Sequence, residues 1–175
     1  MDNPQGCDDR PVVLVAHPDW GVTFPPDQPD GPYVDRIRLE LSGRAEVVYA
    51  CDSNKAIDLC KKHLELKRLR VVVINSELPT KCYGLGAHTA DVIRREMGFS
   101  GYTIGVPCCY SEGYGHPYPP ALLRKVGCDA VTDNWTLIAM FVCEALGLTS
   151  ASAEQLDSIL RAHSRTASMR PSTPM

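Results

Sequence analysis

The stretch Arg70 to Pro79, "RVVVINSELP", holds the key to the fold. Four apolar β-branched residues run without interruption into Asn75, and Pro79 follows four places later. An unbroken run of this kind belongs to a strand covered on both faces, the habit of parallel sheets. The strand then ends on a neutral amide and turns at Leu78-Pro79.

Four further short β-branched runs occur, "PVVLVAH" (11–17), "AEVVYA" (45–50), "YTIGVP" (102–107) and "DAVTDN" (129–134), and three of the five are apolar on consecutive positions. Helical spacing separates them. Val34, Ile37 and Leu41 fall at i, i+3, i+7, with Pro32 suited to a first turn. Ile57, Cys60 and Leu64 repeat the spacing after "CDSN", which offers capping side chains. Ala90, Ile93 and Met97 do so again and stop at Gly98. "PALLRKVG" (120–127) predicts a short fourth helix and "NWTLIAMFVCEALG" (134–147) a fifth.

Five β-α units joined by right-handed crossovers make an α/β protein, a flavodoxin-like three-layer sandwich on a five-stranded parallel sheet of order 2-1-3-4-5. The functional crevice of such a sheet lies at the carboxyl ends of the strands. "AHPDW" (16–20) and "INSELP" (74–79) therefore meet there.

The expected organisation is an N-terminal tail at 1–10, the sheet domain at 11–148, a C-terminal helix at 149–163 and a disordered tail at 164–175. The C-terminal helix rests on a capping box at Ser152 and Gln155 and a stripe of Leu156, Ile159 and Leu160. A net charge of −3 argues against wholesale nucleic-acid binding. The acidic start "MDNPQGCDDRP" does not read as a signal peptide, and no apolar run nears the ~20 residues of a membrane span. A cytoplasmic setting is expected. Of the eight cysteines, Cys51, Cys60, Cys128 and Cys143 lie in strand- or helix-like segments and read as small hydrophobes. No C-x-x-C occurs, which argues against a zinc ribbon.

On these motifs the chain resembles the receiver domain of two-component response regulators and hybrid histidine kinases over about residues 11–148. The family's third strand ends in a phosphate-accepting aspartate, followed by two residues, a methionine or leucine, and proline. "NSELP" fits that pattern with Asn75 at the acceptor place. "GFSGYTIGVPCC" resembles a fourth strand that often reads "IIGVTGN", so Pro107 falls on the switch threonine or serine. "GCDAVTDNW" resembles "GADDYLTKP", so Asn134 falls on the lysine and Trp135 on the proline. The two acidic residues that help hold magnesium fall on His17 and Pro18, with Asp19 one place late.

The resemblance thus keeps the scaffold and loses the chemistry. Phosphoryl transfer to a carboxylate needs an ionised oxygen nucleophile, and an amide is not one. Magnesium seeks hard, chiefly carboxylate, oxygens. Asn134 lacks the lysine's charge, and Pro107 has neither a hydroxyl nor a backbone donor. The implied protein is a pseudo-receiver. It is not an enzyme, uses no cofactor or metal, and regulates by phosphorylation-independent contact with a protein such as a histidine kinase or another signalling protein. The plainer reading of Asn75 is that it hydrogen-bonds neighbouring strand ends.

A second resemblance is shorter. "AHPDW" is similar to the "AHPDDE" of zinc-dependent N-deacetylases of the PIG-L and LmbE type, which would make His17 and Asp19 zinc ligands. Trp20 and Gly21 replace the next acids, and a third ligand would have to be His116 or His88. The plainer role of His17 is a pocket histidine at a strand end.

Two loops exceed the ~2–6 residues usual for β-α connections: 20–32 and 107–120. The second carries Tyr110, Tyr114 and Tyr118, amphipathic contact area suited to a partner or to the loop itself, and also Cys108 and Cys109, which receive no role. From Trp135 to Leu148 only Glu144 is charged. A helix apolar all round should be covered all round. Receivers commonly pair through the face of the fourth helix, fifth strand and fifth helix. Trp135, Ile138, Phe141 and Val142 are therefore candidates for a homodimer or partner interface, with shielding by 152–163 as the intramolecular alternative.

Overall fold

The computed structural model describes residues 9–18, 37, 40–78, 86–107 and 120–148. Five strands form one parallel sheet: β1 (Val12–Ala16), β2 (Glu46–Ala50), β3 (Leu69–Asn75), β4 (Tyr102–Val106) and β5 (Ala130–Val131). Their spatial order is β2-β1-β3-β4-β5. This is the flavodoxin-like arrangement expected from the strand pattern. Every residue of β1 is buried, and in β3 only Arg70 is exposed.

Burial on both faces follows from the alternation of Cβ directions along each strand. Val13, Val15, Val71 and Val73, with Ile104 and Val106, face one core. Val12, Leu14, Ala16, Val72 and Ile74 face the other. Each fully buried branched side chain contributes roughly 1.5–3 kcal/mol gross, so the apolar run of β3 alone commits the chain to covering both sides.

Helices α1 (Ser53–Glu65), α2 (Gly86–Asp91) and α3 (Pro120–Lys125) connect successive strands from β2 to β5, and α4 (Trp135–Ala145) follows β5. Ile37, Glu40 and Leu41 are also helical, between β1 and β2, and all three are buried. Ala56 and Cys60 of α1, Ala87 and Ala90 of α2, and Leu123 of α3 cover the first core. Ile37, Leu41 and α4 cover the second. Helix α2 runs on into a π-helical turn, Val92–Glu96, capped at Met97 and closed at Gly98 with φ +68°.

Three details depart from the sequence expectation. The buried stripe of α1 is Ser53, Ala56, Cys60 and His63, while Ile57 and Leu64 are only half-buried. Asp52 sets that phase: its carboxylate accepts the Lys55 N–H at 2.8 Å and fixes where the helix begins. Strand β5 has two residues rather than six. The Asp129 side chain is drawn sideways to the Thr103 N–H (2.7 Å) and to Arg94 (2.7 Å), and Asn134 leaves the sheet to cap α4.

The third is a correction to the expected interface. Ile138 and Val142 are fully buried in the chain's own core, so neither offers area to a partner. Trp135 and Phe141 are half-buried and packed against the same core. The apolar circumference of α4 divides into a face on the sheet (Ile138, Ala139, Val142, Cys143) and the remainder, where Leu137 is 40% exposed.

The N-terminal residues 1–8, Asp19, Tyr110, Tyr114, Tyr118, Cys108, Cys109, His116, the predicted C-terminal helix and the tail lie outside the described residues, as does most of both long loops. No helix among the described residues is long and apolar enough to cross a membrane.

Candidate functional site at the carboxyl ends of the strands

The end of β3 is built tightly. Asn75 is paired in register with Val106 of β4 and is 4% exposed. Its Oδ1 accepts the backbone N–H of Glu77 at 2.7 Å. That is the local turn to which asparagine side chains are suited, and it bonds the residue's own chain two places on rather than a neighbouring strand. Ser76 is fully buried, donates its N–H to the Val106 carbonyl at 2.9 Å, and accepts the Gly86 N–H at 2.9 Å. Leu78 is buried in the first core, holding the turn against the sheet.

At the end of β1, the His17 N–H donates to the Ala50 carbonyl at 2.9 Å. The imidazole meets the Trp135 indole edge-on, with centroids 5.7 Å apart and planes inclined at 61°, a favourable aromatic geometry. Half-buried Pro18 follows directly. Across the sheet, half-buried Pro107 follows β4. Asn134 is exposed and caps α4: its Oδ1 accepts the N–H groups of Thr136 (3.0 Å) and Leu137 (3.3 Å), and its own N–H donates to Thr132 Oγ1 at 3.1 Å.

The fold thus gathers His17, Pro18, Asn75, Pro107 and Asn134 at the ends of their strands. Chemically they are an imidazole, two carboxamides and two prolines. None is an anionic oxygen nucleophile. Both carboxamide oxygens are engaged as acceptors of backbone N–H groups, those of Glu77, Thr136 and Leu137, which is a structural use.

Several residues were missed by pattern reading. A Cβ on Gly86 would lie 1.7 Å from the Asn75 carbonyl oxygen, so the start of α2 rests directly on the end of β3. Arg94, inside the π-helical turn, donates Nε to Gly127 O (3.0 Å), Nη1 to Gly101 O (2.8 Å) and Nη2 to Asp129 Oδ1 (2.7 Å). One guanidinium so joins that turn to the start of β4 and the loop before β5. The i−5 spacing of that turn, seen in Met97 N–H to Val92 O at 3.0 Å, has no signature in the residue types.

His63 is 3% exposed and its Nδ1 has no partner. Burial lowers its pKa; Glu46 opposes this, while Lys62 and Arg68 add to it. Burial likewise pushes the Cys60 and Cys128 thiols up to about 12 and raises that of Cys143, where Glu40 adds to the effect. Thiols so placed are protonated at neutral pH and act as core hydrophobes, as their sequence setting implied.

No family model and no curated protein matches the sequence. The likeness to solved structures falls on response-regulator receiver domains of the CheY-like type. The BeF3-activated DrrB receiver domain of Thermotoga maritima is 13% identical, at TM-score 0.53, over 79% of this chain and 98% of its own. A CheY-like receiver from Methanospirillum hungatei JF-1 is 15% identical, at 0.52, over 79% and 94%. The receiver domain of Ssk1 from Saccharomyces cerevisiae, solved with the histidine phosphotransfer protein Ypd1, is 12% identical, at 0.53, over 82% and 94%. At these identities the likeness is one of fold.

The zinc-hydrolase reading finds no support in those likenesses. Of its four named residues, Asp19 and His116 lie outside the described residues, His88 is exposed on α2, and His17 meets Trp135 edge-on. Among the described residues no group of three or more His, Cys, Asp or Glu could hold a metal ion.

Proposed function

We propose that residues 11–148 form a pseudo-receiver: a signalling module with the receiver scaffold that does not accept phosphate and acts by phosphorylation-independent contact with a protein. One observation carries this reading. Asn75 stands at the acceptor place, buried, with its Oδ1 committed to the Glu77 N–H, while Asn134, at the lysine place, caps α4. A carboxylate replaced alone could be compensated elsewhere. Here His17, Pro18 and Pro107 depart from the phosphorylating pattern as well.

Protein contact is the use proposed for such a scaffold. One structural neighbour was solved with a histidine phosphotransfer protein. A histidine kinase, a phosphotransfer protein or another signalling protein in a cytoplasmic setting is therefore the first class of partner to test, with Tyr110, Tyr114 and Tyr118 supplying contact area. Self-association through α3, β5 and the Leu137 side of α4 is the homodimer form of the same proposal.

The test is intact mass after incubation with magnesium and a small-molecule phosphodonor, beside a competent receiver domain treated identically. The expected mass is unchanged. Stable gain of one phosphoryl group, on Asp19 or elsewhere, would overturn the proposal.

A further inference from the structure

Among the described residues, the left-handed backbone conformation occurs at Gly43, Gly98, Gly127, Gly147 and Lys67. Glycine adopts it without strain, whereas a residue with a Cβ does not. Lys67, with φ +55°, closes the turn after α1, a place where glycine is the usual terminator. The chain keeps a lysine where its own habit is glycine. Backbone strain held in this way directs attention to what the side chain does.

Lys67 lines a half-open cavity of about 310 Å³ at the amino edge of the sheet, opposite the strand-end crevice. Arg68, Arg70 and Asp9 line it too, together with Pro11, the last residue of α4 (Ala145) and Leu146 after it. Three basic residues and one acidic residue thus line it, in a chain whose net charge is −3. Arg68 is fixed, donating Nε to the Arg10 carbonyl at 3.0 Å and pairing through Nη2 with Glu46. Arg70 is the exposed residue of an otherwise buried β3. Neither Arg70 nor Lys67 pairs with a carboxylate among the described residues. Asp9 and the carboxyl end of α4, which supplies roughly half a negative charge, offset these two cations only in part.

We propose that this cavity binds a small phosphorylated anion. A guanidinium offers planar paired donors that match phosphate oxygens, and an ammonium adds a compact point charge. Arg70 and Lys67 supply these two kinds of contact, and Arg68 holds the wall. The volume sits near the lower end of the ~300–1,000 Å³ of small-molecule sites, which suits a ligand on the scale of a diphosphate. Such a site is separate from the strand ends and independent of their loss of phosphoryl chemistry.

The test is a titration of the full chain with sodium pyrophosphate at constant ionic strength, followed by backbone amide NMR. Saturable shifts are expected at Arg68 to Val71 and at Ala145 and Leu146. Lys67→Gly relaxes the turn and deletes the ammonium, so it should raise Tm while weakening binding by about tenfold or more. Arg70→Gln should weaken binding comparably with Tm almost unchanged. Non-saturating shifts spread over Lys61, Lys62 and Lys125 would overturn the proposal, as would unchanged binding in both variants.

Discussion

A methyl group on Gly86 would lie 1.7 Å from the carbonyl oxygen of Asn75 and 2.8 Å from its carbonyl carbon. The first turn of α2 is therefore seated on the last peptide of β3, backbone against backbone. Neither partner can yield by changing a rotamer. Gly86→Ala should cost about 3 kcal/mol, the upper end of overpacking penalties, read as a lowered urea midpoint. Gly105→Ala meets only side chains, Leu123 at 3.0 Å and Cys128 Sγ at 3.2 Å, and should cost less. Equal losses would contradict the seating of α2 on β3.

Asn75→Asp places a carboxylate at a buried strand end. Desolvation there raises its folded pKa above the ordinary value of about 3.9. The variant's deficit against wild type is full above that folded pKa and shrinks as pH falls through it, because the protonated acid is tolerated. Urea midpoints at pH 7.5 and 4.5 should show the gap narrowing. A constant gap would mean that the folded pKa is not raised, the Glu77 N–H offsetting desolvation. The variant should also gain no phosphoryl group, since Pro107 and Asn134 remain.

Asn134 does its work through an acceptor oxygen. Asn134→Ala should cost about 1 kcal/mol for the lost cap. Asn134→Lys should cost a similar amount, because an ammonium accepts no hydrogen bond. Asn134→Asp keeps the acceptor and places negative charge at a helix start, so it should match or exceed wild type. Thermal midpoints of the three variants give the order directly.

His63 makes stability sensitive to acid. Its folded pKa lies below 6.5, first through burial. Between these two values the unfolded chain binds the extra proton, so stability is fully present above 6.5 and is lost as pH falls from there toward the folded value. The slope for one proton is at most about 1.4 kcal/mol per pH unit. His63→Leu should flatten the profile between pH 6.5 and 5. An unchanged slope would assign the acid response to other groups.

The sheet was readable because parallel strands bury both faces and so write themselves as continuous β-branched runs. The strand-end residues followed, since topology alone brings His17, Asn75, Pro107 and Asn134 to one edge. What escaped was phase and contact. His63 is polar, and only the start of α1 at Asp52 turns it inward. Ile138 and Val142 look like surplus apolar residues until the sheet is placed beneath them. Gly86 looks like any loop glycine, and its necessity appears only when β3 and α2 meet. Arg94 reads as a helix-surface charge, yet its three acceptor oxygens come from segments as far as 35 residues along the chain.

The edge-on contact of His17 with Trp135 gives the crevice an optical consequence. An indole in van der Waals contact with an imidazole emits according to that neighbour's position and charge. The fluorescence of Trp135 is thereby wired to the end of β1, and Trp20→Phe would make it the sole indole in the chain. A partner's side chain or a small ligand that displaces either ring can be followed without a label.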